Sequence, residues 1–118
     1  MIEGTIDDRG VPVIEINFAG RTWIATIDTG FNGYFELPEE LRESVAARFM
    51  GRLQSELAGG YSVSEDEYHV HFPFDGELKR ATATFANGDG ILIGTRLLMP
   101  YRLTIDFPDR RVWLERIA

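Results

Sequence analysis

Apolar residues recur at every second position through much of the chain, the spacing that turns one face of a β-strand towards a core. Met1 to Ile6 reads as a short strand closed by the turn Asp7-Asp8-Arg9-Gly10. In Val11 to Phe18 the set Pro12, Ile14, Ile16 and Phe18 is more apolar than Val11, Val13, Glu15 and Asn17, so one face is buried. Ala19-Gly20-Arg21 has the brevity of a hairpin connection. Thr22 to Asp28 returns with few polar breaks and is expected to be buried on both faces. The period then changes. Pro38-Glu39-Glu40 suits the first turn of a helix, and Leu41, Val45 and Phe49, joined by Ala46 and Met50, recur every three or four residues before Gly51. One amphipathic helix is expected over about 38–50.

Strand character resumes at Arg52–Leu57 and Tyr61–Phe74, two runs flanking Ala58-Gly59-Gly60, the composition of a mobile hairpin tip or of a plain turn. Asp75-Gly76-Glu77 and Asn87-Gly88-Asp89-Gly90 bracket a strand over Leu78–Ala86. Ile91-Leu92-Ile93-Gly94 is a fully apolar run ending in glycine, which fits a strand buried on both sides. Thr95 to Met99 has room for one helical turn before Pro100, and Tyr101–Phe107 and Arg111–Ile117 complete the chain as strands around Pro108-Asp109-Arg110. The sum is mainly β, about eight short strands and one helix, in a closed or sandwich-like architecture. With 118 residues and no internal repeat or low-complexity linker, a single domain over 1–118 is expected.

Charge narrows the function classes. The net charge is −7, which disfavours a phosphate-backbone partner, and no nucleic acid is expected. Residues 1–90 hold 16 acidic and 7 basic side chains, whereas residues 91–118 hold 3 and 5, so the C-terminal segment is the less repulsive surface for self-association. Apolar runs are too short to span a bilayer, so no membrane partner is expected. Glu3, Asp7 and Asp8 in place of a basic, apolar leader point to the cytoplasm. Cysteine is absent, which removes thiol nucleophiles and thiolate metal sites. His69 and His71 would share a strand face, but no third ligand is spaced to join them and no metal is expected.

The candidate chemistry lies at the end of the third strand, in Asp28-Thr29-Gly30. Asp offers a carboxylate, Thr a hydroxyl able to bond across a two-fold axis, and Gly a position where another backbone approaches closely. Two carboxylates at hydrogen-bond distance share one proton, leaving one as general base for a water and the other as general acid. One triplet per chain supplies half of such a site, so the chemistry demands two copies. Taken alone, the triplet fits an ordinary strand-ending turn better than a catalytic site.

Three features in order carry more weight: an apolar strand into Ile27-Asp28-Thr29-Gly30-Phe31, a glycine hairpin at Ala58-Gly59-Gly60-Tyr61, and Ile91-Leu92-Ile93-Gly94 ahead of Leu97-Leu98. Together, over about Val11 to Trp113, they resemble the retropepsin-like aspartic proteases, and the Asp-Thr-Gly-Phe start is similar to the small prokaryotic members. The resemblance implies a closed β-barrel-like acid-protease fold and a homodimeric endopeptidase that needs no cofactor. It implies Asp28, Thr29 and Gly30 as catalytic residues, and Phe31, Ala58, Gly59, Gly60 and Tyr61 as contacts to a peptide or unfolded polypeptide, the hairpin acting as a flap. Ile93 and Gly94 would support the Asp28 loop from beneath. The 38–50 helix is longer than the compact viral members suggest, and Phe31 stands where a small residue is common. Dimer contacts are expected from Arg111 to Ile117, on its strand pattern and milder charge. The alternative on the same fold is a peptide-binding or assembly module without catalysis.

Overall fold

The computed structural model describes residues 1–118, apart from the side chain of Ser55. Ten strands form one sheet among the described residues: β1 Ile2–Ile6, β2 Pro12–Phe18, β3 Arg21–Ile27, β4 Phe35–Pro38, β5 Arg48–Glu56, β6 Ser62–Phe74, β7 Glu77–Ala86, β8 Ile91–Ile93, β9 Tyr101–Asp106 and β10 Arg111–Arg116. Their order across the sheet is β5-β6-β7-β4-β8-β3-β2-β1-β10-β9. The mainly β class read from the sequence holds. The sheet curls without closing: β5 and β9 are edges, not partners, so the expected closed barrel is an open sheet.

Local chemistry explains most of the connections. A left-handed backbone at a tight turn is needed twice: Ala19 and Gly20 (φ 52° and 79°), and Asp75 and Gly76 (φ 55° and 74°), take the paired left-handed conformations of two-residue hairpins. The second turn is tied down by the Tyr101 hydroxyl, which donates to Asp75 at 2.6 Å. The core gathers Trp23, Phe35, Phe72, Leu37 and Leu114, with Phe35 and Phe72 rings 4.9 Å apart. Strand β3 is not buried on both faces as expected: Trp23, Ala25 and Ile27 point in, while Ile24 on the other face is 46% exposed.

The expected 38–50 helix does not form. Glu39–Leu41 make a single 3-10 turn, and the following turn ends at Ala46 in a left-handed conformation (φ 51°). Leu41 and Val45 are buried, as the helical spacing required, and Val45 even donates its N–H to the Leu41 carbonyl at 3.1 Å. The Val45 carbonyl, however, accepts the His71 N–H at 2.9 Å, so β6 takes the acceptor a second helical turn would need. Arg42 fixes the turn by bonding Glu39 at 2.7 Å and by stacking 4.4 Å from the rings of both Tyr68 and Phe85. Phe49 and Met50, 59% and 49% exposed, belong to β5.

The expected helical turn before Pro100 is present as α1, Thr95–Leu98, with Leu97 and Leu98 buried. Strand β10, expected to make dimer contacts, pairs with β9 along its whole length and with β1 over Arg111–Leu114, so Glu115 and Arg116 are paired on one side only. The edge strand on this side of the sheet is β9.

Candidate active site

Strand β8 explains why a run of three apolar residues matters. It lies between β3, to which it is parallel (Ile27 opposite Ile93), and β4, to which it is antiparallel (Phe35 opposite Ile93). Ile91 and Ile93 are fully enclosed there. The loop 28–34 leaves β3 and re-enters at β4, so it crosses over the end of β8 and the start of α1. Four main-chain bonds join the two segments. Asp28 N–H donates to the Ile93 carbonyl at 3.0 Å, Gly94 N–H to Tyr34 at 3.0 Å, Thr95 N–H to Phe31 at 2.8 Å and Arg96 N–H to Gly33 at 3.2 Å.

Side-chain packing locks the same junction. A Cβ on Gly94 would overlap the Gly33 carbonyl oxygen and stand 2.8 Å from the Phe31 ring. One on Gly33 would stand 2.7 Å from that ring. Phe31 thus occupies the space that two glycines leave, and it is inside the loop rather than free in solvent. Asp28 Oδ1 accepts the Gly30 N–H at 3.0 Å, which orients the carboxylate, and a Cβ on Gly30 would come within 3.3 Å of the same oxygen. Thr29 is exposed beside it.

Gly30, Phe31 and Gly33 form one end of a groove of ≈ 660 Å³ between this loop and the β5–β6 hairpin, within the size range of ligand clefts. The hairpin contributes Leu53 and Leu57 from the β5 side and Glu65 and Glu67 from β6. Glu36 on β4, Thr84 on β7 and Arg96 on α1 complete the walls. The hairpin tip is built as its sequence suggested, with Gly59 and Gly60 at φ 88° and 82° and Leu57 N–H donating to the Tyr61 carbonyl at 2.6 Å. Its neighbours Glu56 and Leu57 line the groove, and Tyr61 is 72% exposed. Main-chain bonds and close packing join Asp28, Gly30, Phe31, Ile93 and Gly94 at one junction.

Sequence reading missed the acidic wall. Glu36 alternates with buried Phe35 and Leu37, and Glu65 and Glu67 are two apart on one strand face, so period-two spacing was the available signal. Burial pushes the Glu36 carboxyl above the usual range, and the charges of Glu65 and then Asp28 push it further. A raised carboxyl favours the folded state below the unfolded range, and that contribution is lost as pH rises through the folded value. Glu36→Gln is therefore expected to raise the melting temperature at pH 7 and to match wild type near pH 4. Thermal melts at the two pH values check this; no gain at pH 7, or an equal gain at both, would contradict it.

Known structures share this fold. Over 96% of the chain and 88% of its counterpart, it superposes on a retropepsin-like aspartic protease from Rickettsia conorii with TM-score 0.66 and 16% identity. The chain has a retropepsin-like fold. A foamy viral protease-reverse transcriptase in complex with an RNA/DNA hybrid also matches, with TM-score 0.59 and 18% identity over 82% of this chain and 13% of that one. No protein-family model matches the chain, and no curated protein matches it by sequence. The retropepsin-like backbone thus recurs at sequence identities too low to carry residue roles across. No helix among the described residues is long and apolar enough to cross a membrane.

Proposed function

We propose that the chain is a homodimeric aspartic endopeptidase whose two Asp28 carboxylates, one per subunit, activate water against a peptide bond. The observation that carries this reading is the cross-braced 28–34 loop: four main-chain bonds and the Phe31–Gly33–Gly94 contact fix the loop that bears the Asp28 carboxylate and whose Gly30, Phe31 and Gly33 line one end of a groove. Rigid placement of that kind is what acid–base chemistry on a bound substrate requires.

In the reaction, the ionised Asp28 removes a proton from water as the water oxygen bonds to the substrate carbonyl carbon, and the protonated Asp28 of the partner subunit gives its proton to the carbonyl oxygen. Collapse of the tetrahedral adduct returns a proton to the amide nitrogen, and the C–N bond breaks to leave a carboxylic acid and an amine. Thr29 would brace the pair across the two-fold axis, and Gly30 would let the two loops approach. Leu53, Leu57 and the hairpin tip would close over an extended polypeptide held by main-chain bonds and by pockets for alternating side chains.

The test is incubation of purified protein with an unfolded polypeptide at mildly acidic pH. New fragments are expected, with a rate that falls on both sides of one pH optimum because one shared proton is needed. Intact polypeptide at concentrations where light scattering reports a dimer would contradict the reading and favour a binding module on the same fold.

A further inference from the structure

The outward face of β6 continues past the groove between two arginines of the neighbouring strands. Glu65 and Glu67 line the groove; His69 and His71, the next two residues on the same face, line a separate concavity of ≈ 590 Å³. Cross-strand register places Arg48 of β5 opposite His69 and Arg80 of β7 opposite His71. A β-bulge between Phe49 and Gly51 gives β5 the extra residue that sets Arg48 opposite His69 while leaving Leu53 opposite Glu65. Tyr34, from the Asp28 loop, and Thr82 also line the concavity, and Thr82 lines the groove as well, so the two adjoin.

This gathering runs against the rest of the surface. Eight of the eleven arginines reach a carboxylate, and among the described residues Arg48, Arg80 and Arg96 do not. Two of those three, with both histidines of the chain, line one concavity in which no carboxylate takes part among the described residues. In a chain of net charge −7, with acids abundant nearby, basic groups set side by side on neighbouring strands repel unless an anion sits between them. Guanidinium and imidazole groups suit a carboxylate better than a point cation would, since they offer several directed N–H donors.

We infer that the concavity lined by Arg48, His69, His71 and Arg80 is an anion subsite for an acidic side chain of the polypeptide whose scissile bond lies at Asp28. It rests on the proteolytic reading for the identity of that polypeptide. A strand laid along β6 advances ~3.3 Å per residue, so the acidic side chain falls about two to four residues from the one above Glu67. The substrate class is then an extended segment with Asp or Glu several positions away from the cleaved bond, and not directly at it, where the groove wall is acidic.

Peptides identical except for Glu, Gln or Lys at positions three to six on either side of the cleaved bond decide the matter. Wild type is expected to prefer Glu over Gln about tenfold in KM, with kcat little changed, the range expected of charge-assisted bonds at a partly exposed site. Arg48→Gln with Arg80→Gln should abolish the preference while cleaving the Gln peptide as wild type does, and Arg48→Glu with Arg80→Glu should turn it towards Lys. A preference that survives both double variants, or a wild type indifferent to Glu, overturns the subsite while leaving proteolysis standing. If no peptide is cleaved, the proteolytic reading fails, and fluorescence anisotropy of the labelled Glu peptide on wild type and on the Gln double variant still decides binding. Equal affinity of the two proteins, or saturable binding of inorganic phosphate without binding of the Glu peptide, would overturn the proposal.

Discussion

Asp28→Asn is expected to lower the rate of polypeptide cleavage at least about a thousandfold while leaving the melting temperature within a few degrees of wild type. The size follows from the roles proposed: the same side chain serves as base in one subunit and as acid in the other, and acid–base catalysis contributes 10²–10⁴-fold in each role. Stability should hold because Asn keeps an oxygen for the Gly30 N–H, the one side-chain bond that Asp28 accepts within the described residues. The assay is fragment release from an unfolded polypeptide, with thermal melts on the same samples. Equal cleavage by the variant would remove Asp28 from the chemistry.

The second large effect is at Gly94. Its backbone is not in a glycine-only conformation, at φ −99°, so the requirement is spatial: a Cβ would overlap the Gly33 carbonyl and crowd the Phe31 ring. Neither neighbour can retreat cheaply, because Gly33 and Phe31 carbonyls are already engaged by Arg96 and Thr95 N–H groups. Gly94→Val is expected to cost about 3 kcal/mol or more, a drop of roughly 10 °C in melting temperature. Cleavage should fall in the fraction that still folds, since displacing β8 from the loop moves Asp28. Denaturant titration gives the first number and single-temperature assays the second. A variant as stable and as active as wild type would show that the junction does not position the site.

How far these residues were legible in the sequence depends on the range of the forces involved. Turns with left-handed residues, the enclosed run Ile91–Ile93 and the single turn of α1 were readable because short-range sterics and burial decide them. The 38–50 segment differs from its reading because its apolar spacing stays helical as far as Met50, and a contact from residue 71 diverts the Val45 carbonyl. Strand β4 escaped notice since four residues ending in proline carry little period of their own; parallel pairing to β7 creates it. At the site, Asp28 and its support from Ile93 and Gly94 could be placed together from the sequence. The acidic groove wall could not, because Glu36, Glu65 and Glu67 converge only through the pairing of β4, β7 and β6.

The proposed chemistry needs two subunits. Unpaired strand backbone on this side of the sheet lies along β9 and on one side of Glu115–Arg116 at the end of β10. Met99, 80% exposed directly after α1, and the exposed Thr29 lie at the two ends of the braced junction and are available to a subunit contact.

The most direct test of a shared Asp28 pair is subunit mixing. Wild type and Asp28→Asn protein are combined in varying ratio at fixed total concentration, allowed to exchange, and assayed for cleavage. If each active site draws one Asp28 from each of two chains, mixed dimers are inactive, and activity follows the square of the wild-type fraction, about one quarter at equal mixing. A straight line, about one half at equal mixing, would mean that each chain works alone and would contradict the two-subunit site.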